Sequence, residues 1–324
     1  MVNNDDFSNL DCTIIIKTIK KRRYWLNSAL KLYNHIYKGL KIAIVETSDD
    51  ENNQLKEFKN LEIVYKWGPN YSCEGALYEV IRLAKTKYLI EQGDDDLILA
   101  ERLQLALKVS KIFNCPIVSF ESAMINEIDR DLICKQKIRK AFNKSLYVSN
   151  LILKRGLYQS TPNSTFFLNK KFRLKKFKKK YMMTEFSLIE KEVAESIHTL
   201  DWITPKGFNG IGEATASMHA YVGYRTIRIP ILVFLRLVTM NEMSPASQER
   251  DNFYKSTIAR EYAINYFKKS APHLQLNKDD IKLGIFNRVS KRKFGLDNLQ
   301  KLLFLKIHKL LVAIINIFAP SIPS

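Results

Sequence analysis

The sequence predicts an α/β fold: a mostly parallel sheet with helices on both faces, followed by a C-terminal helical extension. Three observations carry this expectation. Short β-branched apolar runs alternate with segments of helical periodicity through the first part of the chain, the pattern of strands joined by crossover helices. Hydrophobic residues make up 46% of the chain against only 11 glycines and 9 prolines, a globular composition that excludes a disordered one. The 324 residues suffice for one large domain plus an extension, or for two modest domains.

In chain order, "CTIIIKT" (12–18) is the first buried strand, and "YWLNSALKLYNHIYKG" (24–39) a helix closed by a glycine. "LKIAIVET" (40–47) is a second strand, after which "SDDENNQLKEF" is expected to open a helix capped by Ser48. "LEIVYKW" (61–67) makes a third strand, "CEGALYEVIRLAKT" (73–86) a helix, and "KYLIEQ" (87–92) a fourth strand. The helix "ERLQLALKVSKIF" and the strand "CPIVSFES" follow, and "RTIRIPILVFLRLV" (225–238) is a later core strand. "NEMSPASQERDNF" is an exposed connection, which places a catalytic domain over 1–245 and a helical extension over 246–324. No internal repeat is present.

The chain carries 52 Lys and Arg against 33 Asp and Glu, a net charge of +19, which implies attraction to polyanions: nucleic acid, anionic lipid or phosphate-bearing substrates. Cys12, Cys73, Cys115 and Cys134 form no CxxC pair and no ligand-spaced set, so buried thiols in a reducing, cytoplasmic compartment are expected. The acidic N-terminal stretch argues against a cleaved secretory signal.

One cluster demands a chemical reason. Asp94, Asp95 and Asp96 follow the fourth strand directly and repel one another unless a cation lies among them. Ligands of such sheets bind beyond the carboxyl ends of the strands, where Thr47, Ser48, Asp49 and Asp50 also lie. Hard divalent ions take oxygen ligands, and Mg²⁺ or Mn²⁺ keeps positions open for phosphates, so the triplet suits a metal–diphosphate complex. The competing reading makes the aspartates the N-terminal cap of a helix starting near Leu97.

"TIIIKTIKKRRYWLNSAL", "IAIVETSDDEN" and "ALYEVIRLAKTKYLIEQGDDDLI" together resemble family 2-like glycosyltransferases of the GT-A (Rossmann-like) fold, over about residues 11–125. The nearest type is a bacterial subgroup with a DDD motif that builds surface polysaccharide. The resemblance implies transfer of a sugar from a nucleoside-diphosphate sugar to a glycan or lipid-linked acceptor, with Mn²⁺ or Mg²⁺ as cofactor. It implies that Glu46, Thr47 and Ser48 contact the nucleoside and that Thr18 borders the base or ribose. Gly75 belongs to the helix whose start faces the nucleotide, and Asp94 to the nucleotide-sugar site. Aligned as D-x-D-D, the motif puts the metal on Asp95 or Asp96; aligned as D-x-D, on Asp94 and Asp96. Lys20, Lys21 and Arg22 either neutralise the diphosphate or form a solvated loop, and Arg82 is expected at the surface. Lys17 stands where the family has proline, Lys20 where it has asparagine, Glu46 where it has aspartate, and Gly93 at the first acidic position of D-x-D-D.

A weaker stretch, "GIGEATASMHAYVGYRTIRIP", is similar to the family's late segment carrying the catalytic base and points to Glu213, an assignment that favours inversion. Glu185, Glu190 and Glu192 are alternatives, and Glu213 could equally be a first-turn helix residue. His219 is expected to be structural. Residues 170–180 hold eight basic residues in eleven, read as a solvated loop, an anionic-lipid or phosphate-binding surface, or, less favoured, a nucleic-acid site. Residues 299–320 form an amphipathic segment too short in its apolar part to span a bilayer. It suits a helix lying on the inner face of the membrane, or one packed on protein. Two other functions stay open: a nucleotidyltransferase, although no glycine follows the first strand in "KTIKKRRYW", and a non-catalytic basic binder of membrane or nucleic acid.

Overall fold

The computed structural model describes residues 5–135, 157–159, 187–198 and 222–237, with single positions at 216, 219, 220, 265 and 268. The catalytic-domain boundary, the helical extension apart from positions 265 and 268, Glu185, Glu213 and the segments 170–180 and 299–320 lie outside the described residues.

A two-residue strand, β1 (Asp5–Asp6), precedes β2 (Cys12–Ile19), whose β-branched run is buried along almost all of its length. Helix α1 (Arg23–Ile36) follows a single 3-10 turn and buries Leu26, Ala29, Leu30, Tyr33 and Ile36, the i, i+3, i+4 spacing of one helical face. It stops three residues short of the expected Gly39, because Tyr37 turns extended and β3 (Tyr37–Lys38) pairs with β1. Gly39 then turns the chain at φ +70, where a Cβ would clash with Ser8.

Strand β4 (Leu40–Thr47) is followed by a 3-10 turn (Asn53–Glu57) instead of the α-helix expected from Ser48. Ser48 caps nothing: its hydroxyl accepts the Asp50 amide at 3.1 Å and is drawn into the side-chain cluster described below. Beyond β5 (Leu61–Gly68), α2 (Cys73–Leu83) is capped by Ser72, whose hydroxyl accepts the Gly75 amide at 3.0 Å. Next come β6 (Tyr88–Glu91), β7 (Leu97–Ile98), a 3-10 turn (Ala100–Arg102) and α3 (Leu103–Phe113). Then β8 (Ile117–Ile125), α4 (Glu127–Lys135), β9 (Leu157–Gln159), β10 (Ser187–Glu190), α5 (Lys191–Ile197) and β11 (Thr226–Leu237) complete the described elements.

The main sheet runs β5-β4-β2-β6-β10-β8-β11-β7, with β9 paired to β8. Its first four strands are parallel, as expected of crossover connections. Strand β10 enters antiparallel between β6 and β8, and β8 and β11 are parallel again. Ile14, Ile16, Ile42, Ile44 and Ile90 pack on Leu26, Leu30 and Tyr33 of α1, while Ile15 and Leu89 on the other face meet Leu77 and Ile81 of α2. Each such fully buried side chain contributes about 1.5–3 kcal/mol. Cys12 and Cys115 are buried as expected, but Cys73 is exposed; none forms a disulfide. Among the described residues no helix is long and apolar enough to cross a membrane.

Candidate functional site

Strands β2, β4 and β6 are parallel neighbours, so their carboxyl ends lie side by side, and α1 starts immediately after β2. Two consecutive arginines at that start reach in opposite directions. Arg22 turns to the β6 end, donating to Asp94 Oδ1 at 2.6 Å and Asp95 Oδ2 at 3.2 Å. Thr18, near the end of β2, donates to Asp94 Oδ2 at 2.8 Å. Arg23 turns to the β4 end, donating from Nε to Glu46 Oε1 at 2.6 Å and from Nη2 to Ser48 Oγ at 2.9 Å.

The loop carrying the aspartates is held from behind. Asp96 N–H donates to Gly93 O, Gln92 Nε2 donates to Asp96 O, and the Tyr33 hydroxyl donates to Gln92 Oε1 while accepting the Ile98 amide at 2.7 Å. Arg130, fully buried on α4, donates Nε to Asp95 O at 2.7 Å and its other nitrogens to Ser28 Oγ and Trp25 O on α1. At Gly93 a Cβ would lie 2.9 Å from Asp96 Oδ2 and 3.1 Å from Asp95 Oδ1, so the two carboxylates lean over the glycine and a methyl there would push them aside.

The helix-capping reading of the triplet does not hold. The 3-10 turn before α3 begins at Ala100 with Leu99 as its cap residue, and β7 separates it from the aspartates. The three carboxylates instead have distinct partners. Asp94 is buried, which lifts its pKa above the ordinary carboxylate value, while Arg22 and Thr18 pull it back in part. Asp96, also buried, accepts the Leu237 amide at 3.1 Å and faces Arg236 Nε at 3.9 Å. Burial draws the Arg22 pKa down, but Asp94 and Asp95 outweigh it and raise the pKa above the usual value, so Arg22 stays charged.

This donor set does not match the expected Mn²⁺ or Mg²⁺ site on Asp95 and Asp96. Among the described residues no three His, Cys, Asp or Glu side chains converge to hold an ion. Both Asp94 oxygens, Asp95 Oδ2 and Asp96 Oδ1 already accept from Arg22, Thr18 or a backbone amide, and an ion chelated by any of these would have to displace that group.

The other expected residues divide. Glu46 is fully buried and committed to Arg23 and to the Tyr65 hydroxyl at 2.8 Å, so it does not present its carboxylate to a nucleoside. Burial pushes the Tyr65 hydroxyl up to about 12, which keeps it a donor. Thr47 donates to Tyr71 O at 3.1 Å and steadies the turn before α2. Lys20 pairs with the exposed Asp50 at 3.2 Å, with more than half of its side chain in solvent. Gly75 sits in the first turn of α2 with its amide used by the Ser72 cap. Arg82 is no free surface residue: its guanidinium stacks 3.3 Å from the Tyr78 ring centroid and donates to Tyr78 O. Glu190 registers with Tyr88 at the start of β6, the end of that strand remote from the aspartates, which removes it as a candidate base; Glu192 lies just after it in α5. His219 is buried, as expected of a structural histidine. Arg23, Arg130, Tyr33 and Gln92 were not apparent from the sequence, since their partners lie far along the chain.

The chain matches no protein-family model and none of the curated proteins. Among solved structures it is similar to S. aureus TarS 1–349 in complex with UDP-GlcNAc, with a TM-score of 0.51, 13% identity, and coverage of 85% of this chain and 71% of that one. S. aureus TarS itself aligns at 14% identity over 91% of this chain and 49% of that one; its TM-score of 0.49 adds no weight. At this identity the likeness speaks for architecture, and with the strand order above it gives the chain a GT-A-like, Rossmann-like α/β fold.

Proposed function

We propose that the protein is a glycosyltransferase that moves a sugar from a nucleoside-diphosphate sugar to a glycan or lipid-linked acceptor in surface polysaccharide synthesis. One observation carries this reading. Thr18, Arg22, Asp94 and Asp95 form a single hydrogen-bonded cluster at the carboxyl ends of β2 and β6, next to the Arg23–Glu46–Ser48 cluster at the end of β4. In a parallel sheet that is where a nucleotide lies. The likeness to a chain that binds UDP-GlcNAc on the same architecture supports it.

The chemistry divides among the side chains as follows. The acceptor hydroxyl oxygen bonds to the anomeric carbon while the bond from that carbon to the diphosphate oxygen breaks. The departing diphosphate gains negative charge, which Arg22, with Lys20 and Lys21 beside it, stabilises. The acceptor proton passes to a carboxylate, for which the sequence resemblance offers Glu213. Thr18 and the turn at Thr47 and Ser48 border the nucleoside. Residues 170–180 and 299–320 bring the enzyme to the anionic inner face of the membrane, where a lipid-linked acceptor is presented.

Incubation with a panel of UDP-, GDP- and dTDP-sugars, in EDTA and in Mn²⁺ or Mg²⁺, tests the assignment. Release of nucleoside diphosphate from at least one donor, reduced in Thr18→Val, is the expected outcome. Neither release nor binding across the panel overturns it.

A further inference from the structure

We propose that Arg22 takes the place of a divalent ion in this site, so that the diphosphate of a nucleoside-diphosphate ligand binds without metal. The inference rests on the transferase reading and concerns how that site holds its ligand.

The oxygens come first. Asp94 accepts Thr18 on one oxygen and Arg22 on the other, and Asp96 accepts the Leu237 amide and faces Arg236. Asp95 accepts Arg22 on Oδ2, and its Oδ1 has no hydrogen bond among the described residues. A magnesium-like ion asks for near-octahedral oxygen ligation, with one or two carboxylates supplemented by water and phosphate. Carboxylates already bonded to a guanidinium, a hydroxyl and a backbone amide are a poor beginning for that shell, and the guanidinium already supplies positive charge to the three adjacent carboxylates.

The cation comes second. A guanidinium has five N–H donors, and Arg22 spends one from Nη1 and one from Nη2 on the aspartates. The other three have no acceptor among the described residues, on a side chain one-third exposed at the carboxyl ends of β2 and β6. A planar fork with free donors is suited to phosphate oxygens, and it is fixed here because Asp94, itself anchored by Thr18, is buried. Asp94 is thereby a positioning residue.

The helix supplies an independent observation. Lys20, Lys21, Arg22 and Arg23 lead into α1, which has no acidic residue in its first turn and no side-chain cap on its N-terminal amides. Basic residues at the positive end of a helix dipole are mutually unfavourable, and Glu46, Asp50, Asp94 and Asp95 hold Lys20, Arg22 and Arg23 there by ion pairs.

Calorimetric titration of the full chain with UDP, GDP and dTDP, each in EDTA and in MnCl₂, tests the proposal. At least one is expected to bind in EDTA with affinity within about threefold of that in MnCl₂, and inorganic pyrophosphate is expected to compete. Arg22→Ala is expected to weaken binding in EDTA by about thirtyfold, and Arg22→Lys, which keeps the charge but loses the fork, by about fivefold. Should Arg22→Ala fail to fold, the wild-type comparison with pyrophosphate competition decides alone. Binding that appears only with Mn²⁺, or Arg22→Ala that folds and binds as wild type, overturns the proposal and leaves the transferase reading standing. If no nucleoside diphosphate binds in either condition, both fall.

Discussion

Arg22 and Arg23 are chain neighbours of one type, and each is clamped by carboxylates from the end of a different strand. They differ in closure. Arg23 is 18% exposed and its main partner Glu46 is 0% exposed, with Tyr65 sealing the second carboxylate oxygen. Arg22 is 34% exposed and its second partner Asp95 is 19% exposed. The β4 clamp is finished as it stands; the β6 clamp keeps donors and an open oxygen in reach of solvent. The same ion-pair chemistry thus builds a wall in one place and a binding surface one residue away.

The largest expected effect breaks the closed clamp. Arg23→Leu leaves Glu46 buried without its cation, and removing one member of a buried pair costs about 3 kcal/mol. Urea denaturation should show this as a lowered midpoint. Arg22→Leu should cost only about 1 kcal/mol, because Asp94 keeps its Thr18 bond and solvent reaches the cavity left behind. Equal losses for the two variants would erase the distinction. Tyr65→Phe takes the second donor from Glu46 and should cost about 1.5 kcal/mol, in the range for a hydrogen bond to a charged group.

How far this was legible in the sequence differs between the two clamps and the sheet. Strands β2, β4 and β6 were readable because β-branched apolar runs flanked by helical periodicity have few other uses. The aspartate triplet announced itself by charge. Strand β10 was not readable: its four residues, Ser187 to Glu190, carry no period, and their place between β6 and β8 is set by pairing with residues about 70 to 100 positions away. Nor was Arg130, which reaches 35 residues back to the Asp95 carbonyl. Lys20, Lys21 and Arg22 read locally either as a group that neutralises a diphosphate or as a solvated loop. A usable signal was nonetheless present, since three basic residues ahead of a helix and a fourth at its first position, with no acid in its first turn, oppose the dipole and require carboxylates from elsewhere. The expected helix after Ser48 failed for a related reason: Ser48, Asp50 and Asn52 are drawn to Arg23 and Tyr65, and only a 3-10 turn follows.

Gly93 sharpens the comparison from the open side. A methyl there would stand 2.9 Å from Asp96 Oδ2 and 3.1 Å from Asp95 Oδ1, and both contacts are the ends of side chains that can turn away. Gly93→Ala should therefore move Asp95, one of the two carboxylates that hold Arg22, and Asp96 beside it while leaving the fold intact. Loss of geometry on this scale is expected to weaken UDP binding about tenfold, read by calorimetry, with the urea midpoint nearly unchanged. No substitution on the closed side should separate the two readouts in this way.

The opposite face of the sheet gives the smallest effect and a control on both clamps. Beneath β2 and β6, His198 lines a small cavity with Ile15, Leu89 and Glu91, near the Lys17–Glu91 ion pair. Burial, then the positive charge of Lys17, then His219 and Arg82, push its pKa down to about 3 from an ordinary 6.5. The imidazole is consequently neutral in the fold, whereas the unfolded chain takes up a proton below pH 6.5. Protons then favour unfolding, so stability is complete above pH 6.5 and falls as the pH drops toward 3. His198→Gln removes that contribution, and the stability lost between pH 6.5 and 5.5 should shrink by about 1 kcal/mol. Arg22→Leu, on the other face, should leave this segment of the pH profile as it is in the wild type. If it flattened the profile as His198→Gln does, the two faces would be electrostatically coupled and Arg22 could not be treated as a cation serving the ligand alone.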